Sequence, residues 1–167
     1  MAVIRLGAVD YLNARPLVHG LDRRPDLFAL RFDAPSTCAT LLHEGAVDVG
    51  MIPSIEFQRG VAPYLIVDGM GIVSDGPVAS VALFSARPLV EIRSIAVDTS
   101  SRTSTGLLRV LCRESFDIEP EFVPMPPAID AMLERCDAAL VIGDPALYLD
   151  PGAVGVEKID LGEVWGG

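Results

Sequence analysis

Short apolar segments alternate with helix-like segments along the first half of the chain, and this order constrains the fold most strongly. Residues 3–9, 27–33 and 47–52 have the apolar composition of strands. Residues 13–21 are a loop leading into a helix, and residues 35–44 are a helix that ends before a glycine. The order strand, helix, strand, helix, strand predicts an α/β sheet with parallel pairs. Further strands are predicted at 64–67, 70–73 and 78–85.

A second run of the same kind follows Ala86-Arg87-Pro88. Its predicted strands, helices and helical turn are 94–98, 105–113, 119–123, 128–134, 137–143 and 144–149. We therefore predict two small α/β lobes, residues 1–86 and residues 87–167.

Composition limits the classes of function. The 167 residues carry 13 basic and 23 acidic side chains, a formal net charge of −10. Phosphate contacts need clustered Lys and Arg, so nonspecific nucleic-acid binding is excluded. Half of the residues are hydrophobic, which allows a large core and excludes disorder as the main state.

The compartment is expected to be the cytoplasm. The chain begins with a strand-like segment instead of a secretory leader, and no apolar run is long enough to cross a membrane. The three cysteines, Cys38, Cys112 and Cys136, form no CxxC pair and lie at no zinc-finger spacing from the histidines. We interpret them as free thiols and expect no metal site.

Four polar segments follow predicted strands, where open α/β sheets bind their ligands. They are residues 10–15, 53–56, 98–104 and 143–145. The third segment is rich in hydroxyls at a helix start, and such a start offers N–H groups, hydroxyl donors and a positive dipole end to an anion. Simple N-capping is the other interpretation. No GxxxxGK[ST] motif occurs, which disfavours nucleotide triphosphates.

Single residues in these segments leave two interpretations each. Asn13 is either functional or a turn residue, and Glu56 is either a general base or a solvated or capping carboxylate at a helix start. Asp144 precedes a proline, as an N-cap often does. Ser80 is predicted in the middle of a strand, where an unpaired hydroxyl is costly.

Neither histidine is expected to be catalytic. Both His19 and His43 lie in helix-like stretches, and no serine-hydrolase, zinc-hydrolase or Cys–His signature occurs.

Taken together, four blocks of the sequence resemble a known family. They are GAVDYLNARPL at 7–17, GAVDVGMIPSIE at 45–56, GPVASV at 76–81 and DTSSRTS at 98–104. In this order they resemble the MqnA/MqnD family of menaquinone biosynthesis, and within it the chorismate dehydratases of the futalosine pathway. The sister enzyme, 1,4-dihydroxy-6-naphthoate synthase, typically has a first loop similar to SPCPND, from which residues 11–14 depart.

The resemblance implies a fold and a reaction. The fold is that of type II periplasmic binding proteins, two α/β lobes with the ligand between them. Family members are longer, so the resemblance implies a chain truncated at the second hinge crossing, with the first lobe incomplete. The reaction removes water from chorismate to give 3-[(1-carboxyvinyl)oxy]benzoate, and no cofactor is expected.

The resemblance also implies roles for single residues. Asn13 is the expected catalytic residue, which positions the ring and the leaving hydroxyl. Thr103 and Ser104 are expected on one carboxylate, and Ser80 on the other carboxylate or a ring oxygen. Ser54 and Asp144 complete the expected substrate-binding set.

The identity of the base stays open. Glu56, Asp144 and the enolpyruvyl carboxylate of the substrate are the alternatives. Two other functions also stay open: a non-catalytic cytosolic module that binds small anions, and the sister naphthoate synthase. The expected partner is a small-molecule substrate, with neither nucleic acid nor membrane, and the sequence does not indicate an oligomeric state.

Overall fold

The chain divides into two compact units in a computed structural model that describes residues 2–60 and 63–166. The first unit is Met1–Val73 and the second is Ser74–Gly167. Each is an α/β unit with its own sheet. Every helix of the described part of the chain is too short or too polar to cross a bilayer.

The first unit contains a three-stranded parallel sheet. Its strands are β1 (Ile4–Val9), β2 (Phe28–Asp33) and β3 (Val49–Gly50), in the order β2-β1-β3. Its helices are α1 (Arg15–Val18), α2 (Pro35–His43) and α3 (Ser54–Arg59). Short 3-10 turns at Leu12–Ala14 and Leu21–Arg23 complete it. The predicted parallel pairing of the first three strands is confirmed.

The core of the first unit lies under β1. Ala8, Val9, Ala14 and Cys38 are buried there, and Cys38 Sγ lies 3.4 Å from the Ala8 carbonyl oxygen. Burial raises the pKa of the Cys38 thiol, and nearby Asp33 raises it further. The thiol is therefore protonated at neutral pH and behaves as a small apolar side chain.

The strands predicted at 64–67 and 70–73 are wrong. Residues 63–73 have no regular secondary structure, and Leu65 and Val73 are 95 % and 92 % exposed. Their apolar composition resembles that of a strand, but no neighbouring strand among the described residues pairs with them. Composition alone therefore overstates the extent of the sheet here.

The second unit contains a five-stranded mixed sheet. Its strands are β4 (Val81–Ser85), β5 (Ser94–Asp98), β6 (Glu121–Met125), β7 (Ala138–Ile142) and β8 (Glu157–Asp160). Their order is β6-β5-β7-β4-β8, with β5 parallel to β6 and β7, and β4 antiparallel to β7 and β8.

Five helices accompany this sheet: α4 (Arg102–Glu114), α5 (Ile129–Arg135), α6 (Asp144–Tyr148), α7 (Pro151–Val154) and α8 (Leu161–Gly166). A 3-10 turn spans Leu89–Glu91.

Alternate residues of each strand point to opposite faces of this sheet, and both faces are buried. On one face, Leu83 and Leu140 belong to a cluster with Leu108 of α4 and Leu161 of α8. The other face packs Phe84, Ala139 and Val141 against Met132 of α5 and Ala146 of α6. Helices thus cover the two sides of the sheet.

The division between the units differs from the predicted boundary at residues 86 and 87. β4 pairs with β7 and β8, so the residues before the predicted boundary belong to the second sheet. Antiparallel pairing over such a long sequence separation leaves no local pattern in the chain. The strand is also shorter than predicted, because it begins at Val81 instead of residue 78.

Candidate functional site

Three segments of the second unit meet at one edge of its sheet. β5 and β7 run in parallel, so Asp98 and Ile142, at their carboxyl ends, lie at the same edge. β4 is antiparallel, with Val81 opposite Ile142, so Ser80 also lies at this edge. The Gly143 N–H donates to the Ser80 carbonyl oxygen at 2.8 Å. The predicted residues that the structure brings to this edge are Ser80, Thr103, Ser104 and Asp144.

A buried carboxylate shapes the loop that follows β5. Asp98 is only 2 % exposed. Its Oδ1 accepts hydrogen bonds from the Ser100 N–H at 2.8 Å and from Ser100 Oγ at 2.6 Å. The Asp98 carbonyl oxygen also accepts from the Ser101 N–H. Ser100 therefore has a structural role in the hydroxyl-rich segment.

Ser101 is the N-cap of α4. Its Oγ accepts a hydrogen bond from the Ser104 N–H at 3.4 Å and donates to Ser104 Oγ at 2.7 Å. The capping interpretation of the hydroxyl run is thus correct for Ser101.

Thr103 and Ser104 occupy the first turn of α4, beyond the cap. Ser104 is buried. The hydroxyl of Thr103 is buried, and it has no hydrogen-bond partner among the residues that the structure describes. A buried polar atom without a partner costs about 1–3 kcal/mol. Unused hydroxyl capacity at the positive end of a 13-residue helix favours an anionic ligand.

Ser80 lies one residue before β4, so its predicted position in the middle of a strand is wrong. The strand cannot begin earlier because Ala79 has a positive φ of 60°. Ser80 is half-buried, and its N–H donates to the Val78 carbonyl oxygen at 2.7 Å. Its hydroxyl makes no hydrogen bond within residues 2–60 and 63–166.

Asp144 is the first residue of α6 and is exposed. The N-cap of this helix is Gly143, with φ of 71°, so the predicted capping position is wrong by one residue. A positive φ favours glycine, which explains why this residue type precedes Asp144.

In the first unit, Asn13 and Ser54 follow the neighbouring strands β1 and β3 at their carboxyl ends. Asn13 is exposed on the 3-10 turn Leu12–Ala14, which buried Ala14 anchors. Ser54 is the exposed first residue of α3. The structure therefore brings both predicted residues to one edge of the first sheet.

Glu56 is engaged in a contact that the sequence does not indicate. Its side chain is 4 % exposed, so the interpretation as a solvated carboxylate is wrong. Oε2 of Glu56 lies 2.9 Å from Nε2 of His43, and Oε1 lies 3.6 Å from a guanidinium nitrogen of Arg59. The other ring nitrogen of His43 is hydrogen-bonded to the Tyr64 hydroxyl. Residues 43, 56, 59 and 64 form no recognisable motif, so the sequence carries no signal of this contact.

No group of three His, Cys, Asp or Glu side chains that could hold a metal ion occurs in the described part of the chain. The cysteine thiols Cys38, Cys112 and Cys136 are all buried and free.

Solved structures share this fold. A crystal structure of a protein from Archaeoglobus fulgidus superposes with a TM-score of 0.65 at 18 % identity, covering 97 % of this chain and 61 % of that one. The ATP phosphoribosyl transferase complex of Thermotoga maritima gives a TM-score of 0.56 at 12 % identity, with 95 % and 82 % covered.

A ligand-binding component of an ABC-type import system from Staphylococcus aureus gives a TM-score of 0.50 at 17 % identity, with 96 % and 60 % covered. These likenesses confirm the predicted α/β fold of the binding-protein type.

Sequence comparison identifies the family. The chain is 28 % identical over 142 residues to the chorismate dehydratase of Thermus thermophilus. The matched region covers 85 % of this chain and 51 % of that enzyme. It thus spans about half the length of the curated relative. The model of the menaquinone biosynthesis family matches residues 4–167. The chain therefore belongs to the menaquinone biosynthesis family.

Proposed function

We propose that this chain is part of a chorismate dehydratase, a carbon–oxygen lyase that removes water from chorismate to give 3-[(1-carboxyvinyl)oxy]benzoate. Family membership and the similarity to a chorismate dehydratase support the assignment. The structural observation that carries it is the first turn of α4, where the buried hydroxyl of Thr103 lacks a partner beside buried Ser104. Chorismate carries two carboxylates, and such a helix start suits a carboxylate.

The reaction removes the proton on ring carbon C3 and the hydroxyl on C4. The electron pair left at C3 delocalises through the adjacent double bond into the ring carboxylate. It then forms the new C3–C4 double bond as the C4–O bond breaks, and the departing hydroxide takes up a proton to become water. Aromatisation drives this step. Hydrogen-bond donors on the ring carboxylate stabilise the charge that develops before the hydroxyl leaves.

The roles proposed for single residues follow from this chemistry. Thr103 and Ser104 donate to one carboxylate, and Ser80 donates to the other carboxylate or a ring oxygen. Ser80 suits this role because the residue is half-buried and its hydroxyl makes no hydrogen bond within the described residues. Asn13 positions the ring and the leaving hydroxyl, and its exposed amide can both donate and accept. Ser54 and Asp144 are proposed as additional contacts at the same sheet edges.

The enolpyruvyl carboxylate of the substrate is the proposed base. Glu56 is a poor alternative because its side chain is buried against His43 and Arg59. An amide cannot remove a proton at neutral pH, so Asn13 orients but does not deprotonate. The protein then contributes orientation of reacting groups and exclusion of water.

A non-catalytic module that binds small anions is the second candidate, because a binding-protein fold by itself does not specify chemistry. One assay separates the two. The full-length protein is incubated with chorismate, and an aromatic product is followed by absorbance and mass spectrometry. A product 18 mass units lighter than chorismate is expected from the loss of one water. Binding without conversion would support the module instead.

Variants locate the activity in the site. Ser80→Ala is expected to reduce kcat/KM for chorismate by about tenfold or more, the loss for one hydrogen bond to a charged group. Ser115→Ala is the matched control, because Ser115 lies exposed at the far end of α4. Equal activities of the two variants would remove Ser80 from the site.

A further inference from the structure

We infer that Asp160 is a positioning residue. It holds the loop that carries Ser80 at the edge of the second sheet where β5 and β7 end. The inference rests on the proposed function, since Ser80 is there a substrate-binding residue. Asp160 is the last residue of β8, the edge strand of the second sheet. It contacts the loop directly, through hydrogen bonds to backbone N–H groups, although it follows Ser80 by eighty residues in the sequence.

The carboxylate of Asp160 connects two backbone segments. It accepts hydrogen bonds from the N–H groups of Val78 and Ala79, in the loop before β4. It also accepts from the N–H groups of Gly162, at 2.8 Å, and Glu163, at 3.1 Å, in the first turn of α8. Burial opposes ionisation, yet these four N–H groups hold the pKa of Asp160 below its ordinary value. The carboxylate is therefore charged at neutral pH and binds both segments strongly.

Gly162 permits the loop to approach α8. A Cβ at this position would lie 2.4 Å from Val78 Cγ2 and 2.6 Å from the Gly76 carbonyl oxygen. The second of these is a backbone atom, so any side chain at residue 162 would displace the loop. Glycine is therefore required for the contact that lets Asp160 reach Val78 and Ala79.

Lys158 holds the same loop from a second direction. Its Nζ donates to the Ala79 carbonyl oxygen at 2.9 Å and to the Ala146 carbonyl oxygen at 2.8 Å. Ala146 belongs to α6, which begins at the site edge. Lys158 is the single lysine of the sequence, and its contacts link the Ser80 loop to α6.

The loop needs such restraint because its conformation is unfavourable by itself. Ala79 adopts φ of 60°, a region that alanine rarely occupies. Asp160 accepts the N–H of this residue, and Lys158 donates to its carbonyl oxygen. On the other side, the Ser80 carbonyl oxygen is fixed by Gly143. The backbone is thus held by hydrogen bonds before Ser80 and at its carbonyl group. These restraints orient the Ser80 hydroxyl relative to the first turn of α4.

Asp160→Asn in the full-length enzyme tests the inference. The substitution preserves shape but places an NH₂ group against backbone N–H donors. We expect faster hydrogen–deuterium exchange in the peptide covering residues 76–80, and a fall of kcat/KM for chorismate of about 10- to 100-fold. Asp137→Asn is the matched control. Asp137 also accepts hydrogen bonds from the N–H groups of Arg93 and Ser94. It lies just before the start of β7, however, and Ser80 lies at the edge of the sheet where β7 ends.

The decisive comparison is made in the Ser80→Ala background. If Asp160 acts through Ser80, adding Asp160→Asn to Ser80→Ala causes little further loss of kcat/KM. A general loss of stability would instead multiply the two losses, and multiplication would overturn the inference. So would unchanged exchange at residues 76–80.

Gly162→Ala provides a second, independent disturbance that leaves the carboxylate intact. We expect it to reproduce both the exchange and the kinetic effects, and a normal loop in this variant would contradict the inference. The exchange measurement uses no chorismate. If the wild-type enzyme converts none, the proposed function fails, while exchange still decides whether Asp160 holds the loop.

Discussion

His43 and Glu56 are joined across two helices of the first unit, with Nε2 of the imidazole 2.9 Å from Oε2 of the carboxylate. His43 ends α2 and Glu56 lies in the first turn of α3. The contact therefore connects the helices that precede and follow β3 in the sequence. The carboxylate is almost fully buried. A buried carboxylate that loses a hydrogen-bonding neighbour is destabilising.

His43→Ala is therefore expected to lower the free energy of unfolding by about 1–3 kcal/mol. Urea denaturation of the full-length protein measures it. His19→Ala is the matched control, because His19 is exposed and makes no hydrogen bond from its ring in the described part of the chain. Equal stability of the two variants would mean that the His43 contact contributes nothing.

Asn13→Ala is expected to reduce turnover of chorismate by about 100-fold or more, the scale of losing a group that orients the reacting atoms. Chorismate binding should stay measurable, because the carboxylate contacts proposed at Ser80, Thr103 and Ser104 are unchanged. Steady-state kinetics and calorimetry measure the two quantities. Gln58→Ala removes another exposed carboxamide of the first unit and serves as control. Near-normal turnover of Asn13→Ala would remove Asn13 from the mechanism.

Thr103→Val separates stability from binding. The Thr103 hydroxyl is buried without a partner among the described residues, so its removal is expected to leave Tm unchanged or higher. If this hydroxyl donates to a substrate carboxylate, KM for chorismate rises by about tenfold or more.

Thr105→Val is the control for this pair of effects. The Thr105 hydroxyl donates to the Ser101 carbonyl oxygen at 2.9 Å, so its loss should lower Tm without the same rise in KM. A Thr103→Val protein with a normal KM would show that this hydroxyl does not touch the substrate.

The strands were predictable where their pattern is local. β1, β5 and β7 are mainly apolar segments with polar residues at or soon after their ends, and the buried positions of β5 and β7 explain their composition. The position of β4 was not predictable in this way, because it depends on pairing with β7 and β8, which follow much later in the chain.

The site shows the same limit of local patterns. Polar residues after strands indicate a ligand edge, and the hydroxyl run at 98–104 indicates its character. The roles within that run depend on the folded loop: Ser100 binds Asp98, Ser101 caps α4, and Thr103 has no partner among the described residues. The contacts of Glu56 and Asp160 join residues that are distant in sequence or lie on separate elements, so neither leaves a motif.

Stability should depend on pH through Asp160. The pKa of this carboxyl lies below its ordinary value in the folded chain, and an unfolded Asp titrates near pH 4. The charged form therefore stabilises the fold above about pH 4, and this contribution is lost as the pH falls through the lower pKa of the folded state. Urea unfolding between about pH 3 and 6 measures it, followed by the fluorescence of Trp165 in α8.

The Asp160→Asn protein should show a shallower pH dependence, since it lacks the titrating group. Asp137 provides an internal comparison: the backbone N–H of Arg93 and further hydrogen bonds hold its pKa below the ordinary value as well. Asp137→Asn should remove a separate part of the same pH dependence. Because the two carboxylates lie at opposite edges of the sheet, the double variant should lose both parts additively. An Asp160→Asn protein with the full pH dependence of the wild type would show that Asp160 does not stabilise the second unit.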